Sequence, residues 1–129
     1  MQKAEWDYAM ALPEKPFRPD HKAQLIEGDK DLFADGSVTI LSTPGHTPGH
    51  ESLLVHLDKT GDVVLSGDLV HFQSNWDNRR VPGFKTDKAQ AVASMEKIAR
   101  VLKEKGAQLW INHDKPSSDA RRHAPEFYE

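Results

Sequence analysis

The segment Thr43-Pro44-Gly45-His46-Thr47-Pro48-Gly49-His50 constrains the fold of this chain more than any other. Its two prolines fix backbone angles, and its two glycines permit angles that other residues avoid. We interpret the segment as a turn, called the His-turn below, that follows a predicted strand. A rigid turn that presents a histidine suits a metal site, because a ligand that is already ordered loses little entropy on binding.

Two more candidate ligands stand in the same place relative to a strand as His46 does. Asp68 follows the apolar run at 63–65, and His113 follows a predicted strand at 108–112. Residues at strand ends converge at one rim of the sheet in a layered α/β domain. Two imidazoles and a carboxylate suit Zn²⁺, Fe²⁺ or Mn²⁺. The sequence therefore predicts a metal site at this rim.

The apolar pattern predicts one α/β domain over residues 1–129, with a single long helix at 87–105. Its apolar residues recur at three- and four-residue steps, Thr86 or Asp87 can cap its start, and Gly106 suits its end. Strands are predicted at 23–27, 37–41, 52–57, 63–65 and 108–112, with turns at 28–31 and 58–61. Outside the core at 23–113, we expect an irregular arm at 1–22 with a helical turn at 6–12, and a polar tail at 114–129. Within the core, 71–85 is expected to be an irregular loop.

Composition excludes several classes of function. The 17 Lys and Arg against 20 Asp and Glu give a net charge of −3, which argues against a nucleic-acid partner. The chain has no cysteine, so any metal must be bound by histidines and carboxylates. No apolar run approaches the ~20 residues that span a bilayer. We expect a soluble, cytoplasmic protein with no membrane partner.

Taken together, these motifs resemble the second half of the metallo-β-lactamase superfamily. The resemblance rests on the His-turn, on Gly67-Asp68 and on Asn112-His113-Asp114, and it covers residues 25–113. The chain is most similar to the N-acyl homoserine lactonase branch, which the Gly83-Phe84 pair and the Asp-led helix also resemble. The resemblance implies half of an αββα sandwich, with a mixed sheet and one long helix on one face.

The resemblance also implies roles for the three candidate ligands. His46 matches the third histidine of the family's first metal site, Asp68 the carboxylate that bridges two metals, and His113 a histidine of the second site. Zinc is the implied ion, with Fe²⁺ or Mn²⁺ as alternatives. The implied activity is hydrolysis of a small-molecule lactone or ester by a metal-bound hydroxide.

The chain departs from the family's pattern in three places. The His-x-His-x-Asp-His motif, which supplies the other ligands in the family, is absent from these residues. His71 stands where lactonases typically carry a tyrosine, and it could donate a hydrogen bond or a proton to substrate. We therefore assign catalytic roles to Asp68 and His71. Asn112 replaces a glycine that often precedes the last histidine.

Half of a sandwich implies a sheet face that needs a partner. We expect either a homodimer or a complex with a separate N-terminal half. Two alternatives to the lactonase hypothesis stay open: a catalytically silent fragment that forms a homodimer, and a thioesterase of the glyoxalase II kind.

The remaining polar candidates have lesser roles. We expect His50 to support the site rather than bind metal, and Asp114 is a candidate for orienting a ligand histidine. The residues that could line a substrate groove are Trp76, Arg79 and Arg80. The histidines interpreted as surface or structural are His21, His56 and His123.

Overall fold

The computed structural model describes residues 1–18, 20–81 and 87–129 and contains a five-stranded sheet with helices around it. The strands are β1 (Lys30–Asp31), β2 (Val38–Ser42), β3 (Glu51–Leu57), β4 (Gly61–Leu65) and β5 (Gln108–Trp110). The helices are α1 (Lys3–Ala11), α2 (Gln73–Asp77), α3 (Lys88–Lys105) and α4 (Lys115–Asp119), with a short 3-10 turn at Gly67–Leu69. None of the helices in these described ranges is long and apolar enough to cross a membrane.

Strand direction explains why the candidate ligands share a rim. The strands lie in the order β1-β2-β3-β4-β5, antiparallel throughout except for the parallel pair β4 and β5. Two successive antiparallel pairings make β2 run in the same direction as β4, and β5 follows that direction too. The carboxyl ends of β2, β4 and β5 therefore meet at one edge, and the chain continues from those ends towards His46, Asp68 and His113.

Helix α3 covers one face of the sheet, and the core lies between them. Its side chains Met95 and Ile98 are fully buried against Leu41 of β2 and Val64 of β4. Asp87 caps the helix by accepting a hydrogen bond from the Gln90 amide at 3.0 Å, and Gly106 ends it in a left-handed conformation. The mixed sheet with one long helix confirms the predicted fold class.

The opposite face of the sheet is also apolar. Strand alternation places on it Val38, Ile40, Leu53, Val55, Val63, Leu65 and Trp110. Ile40 and Val63 are buried, whereas the others stay partly exposed. We call these seven residues the open face.

Four local predictions differ from the structure. The strand predicted at 23–27 is wrong, because Ile26 makes only an isolated bridge with Gln2, and its backbone bonds Met1 and Lys3 rather than the sheet. The first strand is instead β1, inside the predicted turn at 28–31. Helix α1 begins earlier than the predicted helical turn, and α2 interrupts the loop predicted as irregular. Gly83, Phe84 and Thr86 lie outside the described residues.

Candidate metal centre

The carboxylate of Asp68 lies at the centre of a group of histidines. The Nε2 atom of His113 donates a hydrogen bond to Asp68 Oδ1 at 2.7 Å, and His71 Nε2 lies 3.9 Å from the same oxygen. On the other side, His46 Nε2 lies 3.7 Å from Asp68 Oδ2. All four side chains remain partly exposed, from 29% for His71 to 54% for His113. The structure thus brings together every metal-ligating and catalytic residue named from the sequence.

Asp68 is held in place through its own backbone. Its amide donates a hydrogen bond to His50 Nε2 at 2.9 Å, so that nitrogen carries no proton. The proton is then on Nδ1, which donates to the Thr43 carbonyl oxygen at 3.0 Å. Burial lowers the pKa of His50, which favours this neutral form. His50 therefore supports the site and has no nitrogen free for a metal.

A glycine at position 67 is needed for this contact. Gly67 has φ +55°, and a Cβ there would lie 2.8 Å from His50 Nε2. Beneath it, Thr43 Oγ1 lies 3.0 Å from the Ser52 hydroxyl, which donates to the Ser66 carbonyl oxygen at 2.9 Å. These three residues are buried, so the hydrogen bonds satisfy groups that water cannot reach.

Two helices fix the His-turn from outside. A Cβ on Gly45, whose φ is +141°, would lie 2.5 Å from the Ala91 backbone of α3, so only glycine lets the helix approach this closely. Ser94 of the same helix donates to the Pro44 carbonyl oxygen at 2.7 Å. From the other side, the Gly49 amide donates to Glu5 of α1 at 2.9 Å.

The electrostatic environment favours an ionised Asp68 carboxylate and a neutral His71 ring. Partial burial acts to raise the pKa of Asp68, but the hydrogen bond from His113 and the adjacent imidazoles hold it below its ordinary value. Burial, and then the proximity of His113, lowers the pKa of His71. A deprotonated carboxylate and neutral imidazoles are the forms that bind metal.

Asp114 has a different role from the one considered from sequence. Its carboxylate accepts hydrogen bonds from the Ser117 amide at 3.1 Å and from the Gln73 amide at 3.2 Å. The Ser117 bonds, and then the Gln73 amide, lower the pKa of Asp114. Asp114 therefore caps α4 and joins it to α2, directly after His113.

The other candidates lie away from the carboxylate. Arg79 pairs with Glu96 of α3 at 2.7 Å and stacks over Trp76, which packs against the core. Arg80 is exposed. The three remaining histidines are exposed and contact local partners: His21 stacks on Phe17, His56 pairs with Asp62, and His123 bonds the Ser118 carbonyl.

Comparison with known proteins identifies the fold family. The family described as "Metallo-beta-lactamase superfamily" matches residues 1–105. This chain belongs to that superfamily. It is 31% identical to "N-acyl homoserine lactonase AttM" of Azorhizobium caulinodans, covering 100% of this chain and 54% of that protein. It is also 31% identical to an "N-acyl homoserine lactonase" of a Bacillus species, covering 98% and 51%.

A solved structure of an N-acyl homoserine lactone hydrolase has a similar fold. That structure holds the product N-hexanoyl-L-homoserine "bound at the catalytic metal center". It superposes with a TM-score of 0.87 at 29% identity, covering 99% of this chain and 51% of that one. The chain therefore spans about half the length of the lactonases that it matches.

The donor set fits the divalent metal that membership of this superfamily implies. One donor atom each from Asp68, His71 and His113 lie within 4.8 Å of one another. Nitrogen and oxygen donors of these kinds bind Zn²⁺ and other divalent first-row ions. The residues present are thus chemically suited to such an ion.

Some supporting residues had no signal in the sequence. Glu5 contacts Gly49 across 44 positions, and no local pattern marks that pairing. Ser52, within β3, and Ser66, directly after β4, have no distinguishing pattern among the polar residues of the sequence. A clue existed only for Gly67, because a glycine directly before a strand-end aspartate is compatible with a backbone that most residues avoid.

Proposed function

We propose that this chain carries half of the active centre of a metal-dependent hydrolase that opens lactones or esters, as N-acyl homoserine lactonases do. The observation that supports it best is the position of Asp68, whose two carboxylate oxygens face histidines on opposite sides. A carboxylate so placed is suited to bridging two ions. The relatives' names and the similar fold support the lactone as the substrate class.

In this proposal His46, Asp68 and His113 hold the metal, with zinc preferred and Fe²⁺ or Mn²⁺ as alternatives. A bound divalent ion would polarise the substrate carbonyl and make a water molecule nucleophilic near neutral pH. His50 keeps Asp68 oriented through its backbone amide. His71 lies beside the carboxylate with a lowered pKa, so its neutral ring is available at pH 7 to contact the reacting groups.

We further propose that the open face binds a second β-sheet. Val55 and Leu65 lie on it without full cover, and an apolar surface of this kind favours association in water. The partner is a second copy of the chain or another polypeptide that supplies the His-x-His-x-Asp-His ligands. In a homodimer, which would lack those ligands, the donors of each copy would have to support turnover, and no turnover would favour the alternative of a catalytically silent protein.

Hydrolysis by the zinc-loaded chain tests the activity. We expect ring opening of N-hexanoyl homoserine lactone, followed by pH-stat titration of the released acid, and loss of that activity in Asp68→Asn. A thioester and a p-nitrophenyl ester, assayed alongside, distinguish a lactonase from a thioesterase. Turnover no faster than that of free zinc with all three substrates would contradict a standalone activity.

Light scattering tests the partner. We expect the chain to run as a dimer and Val55→Lys, which places a charge on the open face, to shift it towards the monomer. A wild-type chain that stays monomeric at high concentration would exclude the homodimer.

A further inference from the structure

The two oxygens of Asp68 face unequal sets of donors. On the Oδ1 side are His113 Nε2, at 2.7 Å, and His71 Nε2, at 3.9 Å. On the Oδ2 side the nearest imidazole is that of His46, at 3.7 Å. Within the described part of the chain, the group that could hold an ion consists of Asp68, His71 and His113, and His46 is not among them.

The Oδ1 side has the dimensions of a metal site. Zinc bonds of about 2.0–2.2 Å place the ligand atoms of a tetrahedral ion roughly 3.3–3.6 Å apart. The donors of Asp68, His71 and His113 already lie within 4.8 Å of one another, so small side-chain rotations would bring them to that spacing. The rings of His71 and His113 are 4.9 Å apart between centroids and nearly perpendicular, which lets both direct a nitrogen at one point.

Local backbone structure brings the first two donors together. Asp68 lies in the 3-10 turn Gly67–Leu69, and His71 follows three positions after it. The chain leaves the turn through Val70, whose backbone is extended, and His71 Nε2 lies 3.9 Å from Asp68 Oδ1. His113 then reaches the pair from the end of the neighbouring parallel strand β5.

We infer that Asp68, His71 and His113 form a mononuclear metal site that is complete within this chain, with His71 as a ligand. The inference rests on the proposed metal dependence, but it assigns the first ion to a different set of residues. Three protein ligands with one open position is the arrangement of catalytic zinc sites. In the proposed function His71 acts beside the metal ligands, whereas here it binds the ion directly.

His71 gives this site its third protein donor. A neutral imidazole is a good ligand for zinc. The chain can therefore retain one ion without the motif that is absent from its sequence. His46 would bind a second ion only when donors from outside these residues complete the Oδ2 side.

Metal binding by single variants tests the inference without any activity assay. We expect one zinc per chain by elemental analysis, with affinity measured by competition against a chromogenic chelator. His71→Ala and His113→Ala should each weaken binding by at least roughly a hundredfold, since even loss of an outer hydrogen bond to a ligand costs about 10–100-fold. His46→Ala should change the affinity little.

Cobalt substitution gives an independent readout. The visible absorption of bound Co²⁺ should change in His71→Ala and stay the same in His46→Ala. His56→Ala is the matched control, because His56 also pairs with a carboxylate, that of Asp62 at 2.6 Å, but lies away from the rim. Circular dichroism of each variant verifies that it is folded.

The possible failures are distinguishable. Loss of zinc in His46→Ala with retention in His71→Ala would overturn the inference and favour the ligand set of the proposed function. A wild-type chain that binds no zinc would overturn the inference as well. A third outcome is that the wild-type chain binds zinc tightly and His71→Ala does not, while the zinc-loaded wild type hydrolyses none of the substrates. That outcome would support the metal site and contradict only the proposed activity.

Discussion

The turn that carries His46 and the segment that carries His113 reach the same carboxylate, but the fold holds them differently. The His-turn contacts both α1 and α3, and its two ends are joined by a hydrogen bond from the His50 ring to the Thr43 carbonyl oxygen. His113 follows a strand of three residues and is 54% exposed, compared with 35% for His46. Its segment is anchored mainly by the hydrogen bonds of Asp114.

This difference indicates how the site is assembled. Close packing at Gly45 and Gly49 presets the position of the His-turn before any metal binds, because α3 and α1 leave no space for a side chain at these two residues. The His113 segment has fewer constraints, so a bound ion would contribute to its final orientation. Ligands held by packing are sensitive to volume, and ligands held by a helix cap are sensitive to the loss of single hydrogen bonds.

The largest expected effect comes from adding volume to the His-turn. In Gly45→Ala the new methyl group would meet the Ala91 backbone at 2.5 Å, at a φ of +141° that side chains rarely adopt. Strain and overpacking together should cost about 3–5 kcal/mol of unfolding free energy. Urea denaturation followed by circular dichroism measures it.

Gly36→Ala separates the steric effect from the backbone effect. Gly36 also has a positive φ, +80°, but a Cβ there would meet nothing within 4 Å. We expect a loss of only about 1–2 kcal/mol from the left-handed conformation. Equal losses in the two variants would mean that α3 can move away from the His-turn, and the described contrast in packing would be incorrect.

Removing the ring beneath Asp68 should have an intermediate effect. His50→Ala leaves the Asp68 amide and the Thr43 carbonyl without the ring as a partner and opens a cavity, which should cost about 2–4 kcal/mol. The variant should also lose part of the pH dependence of stability. Urea midpoints of the metal-free protein, measured between pH 8 and pH 5, test both expectations.

The sign of that pH dependence follows from the lowered pKa of His50. Above the ordinary value of 6.5 the ring is neutral whether the chain is folded or unfolded, and its contribution is fully present. As the pH falls below 6.5, His50 is protonated in the unfolded chain but stays neutral in the folded protein, so the free energy of unfolding decreases. His71 shifts in the same direction, so the difference between wild type and His50→Ala isolates His50. The exposed His123→Ala is the control, and an unchanged slope in His50→Ala would contradict a buried neutral ring.

The sequence was sufficient to predict that His46, Asp68 and His113 meet at one rim of the sheet. Strand ends followed three or four residues later by His46, Asp68 or His113 are a local pattern, and the shared direction of β2, β4 and β5 brings these residues together. Helix α3 could be predicted equally well, because its N-terminal cap, its apolar repeat and its final glycine all lie in one continuous segment of the sequence.

The parts that could not be predicted depend on contacts between distant segments. Residues 23–27 have the composition of a strand, but a strand also needs a neighbouring strand with free backbone groups. The backbone of Ile26 forms hydrogen bonds with Met1 and Lys3 instead of with the sheet. Likewise, the position of His71 beside His113 depends on how β4 and β5 pair. The family's tyrosine at this position suggested a contact with substrate, and only the geometry suggested a metal ligand.

The smallest expected effect comes from removing the helix cap beside each segment, that of α4 beside His113 and that of α3 beside the His-turn. Asp114→Ala removes the cap of α4 and the bond to the Gln73 amide, whereas Asp87→Ala removes the cap of α3 beside the His-turn. Each should cost about 0.5–2 kcal/mol of stability. Amide hydrogen exchange should then rise around 112–118 in Asp114→Ala, while the amides of Thr43 and His50 stay protected. If the amides of the His-turn also exchanged faster in Asp114→Ala, the two segments would unfold as one cooperative unit. The contrast between His46, positioned by packing, and His113, oriented partly by a bound ion, would then be incorrect.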